Sequence, residues 1–313
     1  MSGNSHASSA ARTYAQLALG MATFGSATPI SKIVTGAMPV FVGSGLRVLI
    51  GAVALAPFAI RRKHFGSMTS RDWLLTVLIA LFGMFGFSAL MLYGMKMVSG
   101  VVGAIVMSTA PAVTATASMV FLRDKPTWRK IDAILLAVAG VLTLHLGQES
   151  GDSKEDSNLL LGSLLVFAAV CCEAAYTLLG KKVSEHVDPV FVACLAAALA
   201  VPAFVPFAIW QWTQFDPKNV GTGAWIALVW YGAGTLALGT WLWYSGVRKA
   251  EGSVAAGFMG VMPASALILS YILLGEQFRW MHLLGFLIVF AGVLLISWEH
   301  ARMSSNDQQE DNA

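Results

Sequence analysis

The sequence predicts an all-α membrane protein of ten transmembrane helices, arranged as two inverted five-helix repeats with both termini on the cytoplasmic side. Three observations carry that expectation: a composition too apolar for a water-soluble domain, ten apolar windows of spanning length, and a stretch of sequence that returns at a fixed offset. Hydrophobic residues make up 57% of the 313 positions and charged residues 12%, against about 25% charged in a soluble domain. The formal charge of +3 is small and scattered, without a basic tract interleaved with aromatics, so no nucleic-acid footprint is present.

A spanning helix needs about 20 mostly apolar residues. The windows fall at 14–34, 39–60, 73–95, 101–122, 131–146, 159–180, 189–210, 223–245, 254–274 and 281–298. The first follows a small, polar leader, Met1 to Arg12, that lacks the charged, apolar and cleavage-site succession of a signal peptide, so the segment is expected to stay in the mature protein. It carries Pro29, and the second carries Arg47 inside the span. The third contains Gly83 and Gly86 and ends in Leu90-Met-Leu-Tyr93, with Gly94 next; the fourth has Met107 one turn before Pro111. The fifth is the shortest and closes on Ala139-Gly-Val-Leu142. The sixth holds Cys171, Cys172, Glu173 and Tyr176, and the seventh opens on Pro189-Val-Phe-Val192. The eighth contains Gly232, Gly234 and Gly239 and ends in Trp241-Leu-Trp243-Tyr244. The ninth has Phe258, Met259 and Met262 beside Pro263, and the tenth, again short, includes Ala291-Gly-Val-Leu294.

The repeat joins these elements in pairs. Gly94, Gly100, Met107, Pro111, Ala112, Leu122 and Trp128 recur without a gap as Gly246, Gly252, Met259, Pro263, Ala264, Leu274 and Trp280. Upstream, Pro39-Val-Phe-Val42 recurs as Pro189-Val-Phe-Val192, and Lys32 as Lys182. Five helices is an odd number, so the second copy enters the membrane from the opposite face. Two such halves rocking about a shared site are the usual construction of a secondary transporter.

Orientation follows the excess of Lys and Arg in short cytoplasmic loops. With cytoplasmic termini, fourteen basic residues share that side, among them Arg61, Arg62, Lys63, Arg123, Arg129, Lys130, Lys181 and Arg248. Five, Lys32, Lys96, Lys154, Lys218 and Arg279, face outward. The chain therefore divides into a cytoplasmic tail (1–13), a first repeat (14–147), an acidic external linker (148–158), a second repeat (159–298) and a disordered cytoplasmic tail (299–313).

A half with a proline-containing fourth helix, an acidic residue just after it (Leu122-Arg-Asp124; Leu274-Gly-Glu276) and a fifth helix closing on Ala-Gly-Val-Leu resembles the repeat of the drug/metabolite transporter superfamily, EamA type. Phe24-Gly-Ser-Ala-Thr-Pro29 and Arg47 are similar to the family's first-half motifs, and the likeness covers Tyr14 to Trp298. The resemblance implies ten helices around a mid-membrane cavity lined by helices one, three, four, six, eight and nine, with five and ten outside. It also implies export of amino acids and other metabolites, carriage of sugar phosphates or nucleotide sugars, or drug efflux. Within that range the chain looks most like the bacterial aromatic and hydrophobic amino-acid exporters, which implies the bacterial inner membrane.

Glu173 is the sole carboxylate well inside a span. An acid at a helix centre costs about 2.5–3.5 kcal/mol on insertion scales, so such groups face a cavity or a partner. It could bind a substrate ammonium, exchange a proton, or pair with Arg47 as packing. Family members commonly have an aromatic residue near this position, so the resemblance gives Glu173 no role. Tyr176 lies one turn away on the same face and could engage an amphiphile or simply pack. Trp241 and Tyr93 stand near helix ends, where lipid-interface anchoring competes with cavity lining. Met107, Met259, Phe258 and Met262 could line an apolar cavity or fill the core. Pro29, Pro111, Pro263 and Gly94 are candidate hinges, with static close packing as the alternative.

The histidines and cysteines form no metal-ligand spacing, and the glycines follow no strand, so neither a metal, a cofactor nor an ATP site is expected. The sequence thus points to a non-enzymatic exporter of small amphiphiles, working as a monomer or weak dimer in the bilayer. The alternatives are proton-coupled efflux of lipophilic cations, and a membrane enzyme or scaffold without transport. No basic cluster lies within the spans, Arg47 excepted, which argues against anionic sugar phosphates.

Overall fold

The computed structural model describes residues 3–60, 68–121, 127–146, 153–184, 187–213 and 215–311. Among them every regular element is helical and no strand occurs. This is one of the two architectures that satisfy backbone polar groups inside a bilayer. α1 (Gly3–Gly25) and α2 (Ala27–Ala37) are separated by a break at Ser26, and α3 spans Val40–Ile60. α4 (Ser70–Ile79) passes through a π-helical segment (Ala80–Gly86) into α5 (Phe87–Met97). α6 (Gly100–Met107) and α7 (Ala110–Phe121) are split at Ser108 and Thr109, and α8 covers Trp128–Leu146.

The second half repeats this plan. α9 (Ser153–Val183) and α10 (Pro189–Trp212) are followed by a 3-10 turn (Pro217–Asn219). α11 (Thr222–Val229) passes through a second π-helical segment (Trp230–Leu238) into α12 (Gly239–Val247). α13 (Gly252–Phe258) and α14 (Val261–Leu274) are split at Met259 and Gly260, and α15 runs Trp280–Asp311.

Among the described residues eight helices are long and apolar enough to cross a membrane. The windows expected at 131–146 and 254–274 are helical too: α8 opens on Arg129, Lys130 and Asp132, and α14 is a shorter apolar helix of 14 residues. The outer surface is strongly apolar: Val53, Leu74, Ile209, Ile226, Ile272 and Leu294 are all more than half exposed. Such a surface suits contact with lipid rather than water, and the chain is a multi-pass membrane protein.

At the C-terminal end α15 continues to Asp311, with no Gly or Pro in the chain after Trp298. At the other end α1 begins at Gly3, and α9 starts at Ser153 within the expected linker. Arg61, Arg62, Lys63, Arg123 and Asp124 lie outside the described residues.

Several contacts between helices recur when the halves are exchanged. The π segment 80–86 packs on α9 and α10, and the π segment 230–238 packs on α1, α2 and α3. α5 lies on α9 as α12 lies on α1; α7 lies on α9 as α14 lies on α1; α3 pairs with α10 and α8 with α15. Glycines allow the closest crossings. A Cβ on Gly94 would lie 2.7 Å from Val166 Cγ2 on α9, and one on Gly246 would lie 2.8 Å from Leu17 Cδ2 on α1.

Helix ends are capped by side chains brought from elsewhere in the chain. Gly275, at φ 63°, ends α14 in the left-handed region, which glycine enters without a Cβ penalty. That turn sets Glu276 against the start of α6, where its carboxylate accepts the backbone N–H of Gly100 and, at 2.9 Å, that of Val101. Lys32 does the converse at the end of α5, donating to the carbonyls of Met95 at 2.8 Å and Val98 at 2.6 Å. An anion at a helix N-terminus and a cation at a C-terminus both complement the helix dipole.

Candidate functional site

Three helices break just ahead of a proline. Proline has no N–H to offer the carbonyl four residues back, so Pro29, Pro111 and Pro263 leave the carbonyls of Gly25, Met107 and Met259 without their regular helix bond. Hydroxyls complete several turns around the breaks: Ser26 Oγ donates to Thr23 O at 2.6 Å, Thr109 Oγ1 to Val106 O at 2.7 Å and Ser265 Oγ to Met262 O at 2.9 Å. Two of the breaks meet, since a Cβ on Gly25 would collide with Ser265 Oγ and the Met262 carbonyl. Gly94 instead lies within α5, where its lack of a side chain lets α5 touch α9.

The two π segments are a further pair of irregularities. Inserting one residue in a helical turn re-aims the side chains around it, and such bulges concentrate at functional sites. In the first, Gly83 and Gly86 accept α9: a Cβ on Gly83 would lie 2.7 Å from the Tyr176 Cβ, and one on Gly86 would lie 3.3 Å from Cys172 Sγ. In the second, Gly232 accepts α3, with a Cβ there 2.7 Å from the Arg47 carbonyl oxygen. The two bulges therefore pack on the helices that carry the in-span charges, α9 with Glu173 and α3 with Arg47.

Arg47 is only 6% exposed. Its Nη1 donates to Ser88 Oγ at 2.6 Å, and its guanidinium carbon lies 4.2 Å from the Tyr231 ring centroid and 5.6 Å from that of Phe87. Aromatic faces attract a desolvated cation by up to about 2 kcal/mol. Among the described residues its Nε, like Glu173 Oε2, is buried without a hydrogen-bond partner. Tyr176 and Tyr244 pack against one and the same buried core.

The other sequence candidates go elsewhere. Tyr93 receives a hydrogen bond from Gln211 Nε2 at 3.3 Å and joins an aromatic cluster through Phe41, 5.7 Å away. Trp241 packs on Phe58 at 5.7 Å and Phe258 on Tyr14 at 5.9 Å. Met107 is buried in a core of Met91, Met95, Ile105 and Leu267. Met259 and Met262 are half-buried at the ninth-window break. Ser88, Tyr231 and Phe87 were not among the candidates. They hold Arg47, and their signal is indirect: a lone cation in a span requires polar or aromatic company.

An apolar cavity of about 870 Å³ opens between α7, α8 and α9, lined by Phe82, Val113, Val120, Val141, Phe167 and Leu178, with Lys182 at one end. Cys171 and Ala175 face it, whereas Glu173 and Tyr176 are not in its wall. Among the residues described, no group of His, Cys, Asp or Glu is arranged to hold a metal ion.

The chain is 34% identical to the uncharacterized transporter YetK of Bacillus subtilis over 90% of its own length and 86% of the relative's. It is 26% identical to the uncharacterized transporter YyaM of the same organism, over 71% and 72%. A probable terminal-alkyne amino-acid exporter of Streptantibioticus cattleyicolor is 24% identical over 90% and 92%. A solved crystal structure superposes with a TM-score of 0.60 at 17% identity, over 95% of this chain and 99% of the other, and so shares the fold. The EamA-like transporter family matches residues 12–146 and 160–298, nearly the whole apolar part of the sequence. The chain belongs to the EamA-like transporter family.

Proposed function

We propose that the protein exports small amphiphilic metabolites, foremost aromatic and hydrophobic amino acids, by alternating access through a mid-membrane cavity. The machine in this reading is a pair of inverted five-helix halves, with both termini in the cytoplasm of a bacterial cell. Support for the halves comes from the two stretches matched by the family and from helix contacts that survive their exchange. The broken helices at Ser26, Ser108 and Gly260 and the two π segments supply places where a helix can bend.

The observation that carries the substrate reading is Glu173, a carboxylate in a membrane span with Oε2 buried and unpartnered. An uncompensated carboxylate there is costly, and a substrate ammonium group relieves that cost. Tyr176, one turn along, offers a ring and a hydroxyl to the same ligand. A relative that is a probable amino-acid exporter is consistent with this chemistry.

A second reading, efflux of lipophilic cations with Glu173 exchanging a proton, draws on the apolar cavity beside α9. Uptake of labelled phenylalanine or threonine into proteoliposomes separates the two. Inhibition by other amino acids and not by quaternary ammonium compounds supports amino-acid export; the reverse pattern supports cation efflux.

A further inference from the structure

Arg47, buried, and Glu173, half-buried with its Oε2 enclosed, are opposite charges in two spans of one bundle. Arg47 comes from α3 in the first half and Glu173 from α9 in the second, and the turn at residues 86–88 touches both helices. Arg47 bonds Ser88 there, and Gly86 abuts Cys172, the neighbour of Glu173. Among the described residues neither makes an ion pair, and each keeps a buried polar atom without a partner, Nε on Arg47 and Oε2 on Glu173.

Leaving both ions unpaired is expensive, because removing a charge from water costs several kcal/mol unless a partner repays it. Arg47 is held by its bond to Ser88 and by the ring of Tyr231. That arrangement occupies Nη1 and leaves the Nε edge for an acceptor. A guanidinium edge matches the two oxygens of a carboxylate, and a carboxylate matches an ammonium group.

We propose that Arg47 and Glu173 are the two poles of one site, Arg47 taking the carboxylate and Glu173 the ammonium group of a free α-amino acid. This rests on the amino-acid reading above and deepens it. A zwitterion bridging the poles neutralises both charges at once, and its side chain is left to lie against apolar and aromatic surface such as Tyr176. Because the poles come from different halves, the ligand also ties the halves together.

The test is competition against labelled phenylalanine uptake in proteoliposomes of the full chain. The competitors are phenylalanine, its methyl ester, which keeps the ammonium and masks the carboxylate, and 3-phenylpropionate, which keeps the carboxylate and lacks the ammonium. The wild type is expected to prefer phenylalanine to either analogue by at least about tenfold, or about 1.4 kcal/mol. Arg47→Gln should abolish discrimination against the ester, and Glu173→Gln discrimination against 3-phenylpropionate. Arg47→Lys, which keeps the charge, should retain the preference at reduced affinity and serves if Arg47→Gln fails to fold. A wild type that carries phenylalanine yet is inhibited by both analogues as strongly as by phenylalanine overturns this site and leaves the amino-acid reading standing. Absence of saturable amino-acid flux overturns both.

Discussion

The Glu276 carboxylate accepts the backbone N–H of Gly100, tying the end of α14 to the start of α6. It takes the N–H of Val101 as well, so one side chain satisfies two of the donors that a helix N-terminus leaves free. The Leu-Gly-Glu motif is thereby explained. Gly275 makes the left-handed turn and Glu276 uses it to cap a helix of the other half.

Glu276→Ala should lower thermal stability by about 1–2 kcal/mol, the range for losing a cap. Gly275→Ala should cost about 1–2 kcal/mol through its positive φ. The two losses should be less than additive, since they act on one contact. Thermal unfolding in detergent checks this, and an unshifted Glu276→Ala variant would contradict it.

Gly94→Ala and Gly180→Ala should move stability in opposite directions. A Cβ on Gly94 would press on Val166 Cγ2 at 2.7 Å and the Gly162 carbonyl at 2.9 Å, whereas one on Gly180 meets nothing within 4 Å. Overpacking costs about 1–3 kcal/mol. In an open helical position Ala gains up to about 1 kcal/mol over Gly. Melting temperatures of the two variants against wild type decide it.

Arg129→Met should destabilise the contact between α8 and α15. Arg129 forms an ion pair with Glu299, and its guanidinium carbon lies 5.0 Å from the Trp128 and Trp298 ring centroids. The side chains are 12% and 6% exposed, so breaking this pair should cost about 3 kcal/mol. The pair lies largely out of solvent, so raising salt should change the difference between variant and wild type little.

Much of the fold was legible in the sequence because its signals are local. Windows 14–34, 101–122 and 254–274 each contained the proline that the break precedes, and the paired glycines of the third and eighth windows coincide with the π segments. The bulges themselves were not legible. A π turn differs from an α turn by one residue of register, and tertiary packing on α9 and α3 decides it. Glu173 stood out as a charge in an apolar run, and Tyr176 followed from helical spacing. Tyr93, Trp241 and Phe258 face other partners, because the direction of an aromatic near a helix end depends on its neighbouring helix, here Gln211, Phe58 and Tyr14. The company of Arg47 came from two distant segments, so spacing along the chain carried no trace of it.

Tyr176→Phe should separate packing from recognition. The ring against Gly83 is kept, so stability should not change. Loss of the hydroxyl should reduce amino-acid flux by several-fold, in line with about 0.5–1.5 kcal/mol for one hydrogen bond. Equal flux in the variant and the wild type would leave Tyr176 a packing residue.

The most direct measurement is labelled phenylalanine flux into proteoliposomes carrying the wild type, Glu173→Gln or no protein. Saturable flux in the wild type, reduced at least about tenfold in a folded Glu173→Gln variant, is the predicted result. Wild-type flux no greater than that of protein-free liposomes, or a Glu173→Gln variant that transports like the wild type, would contradict it.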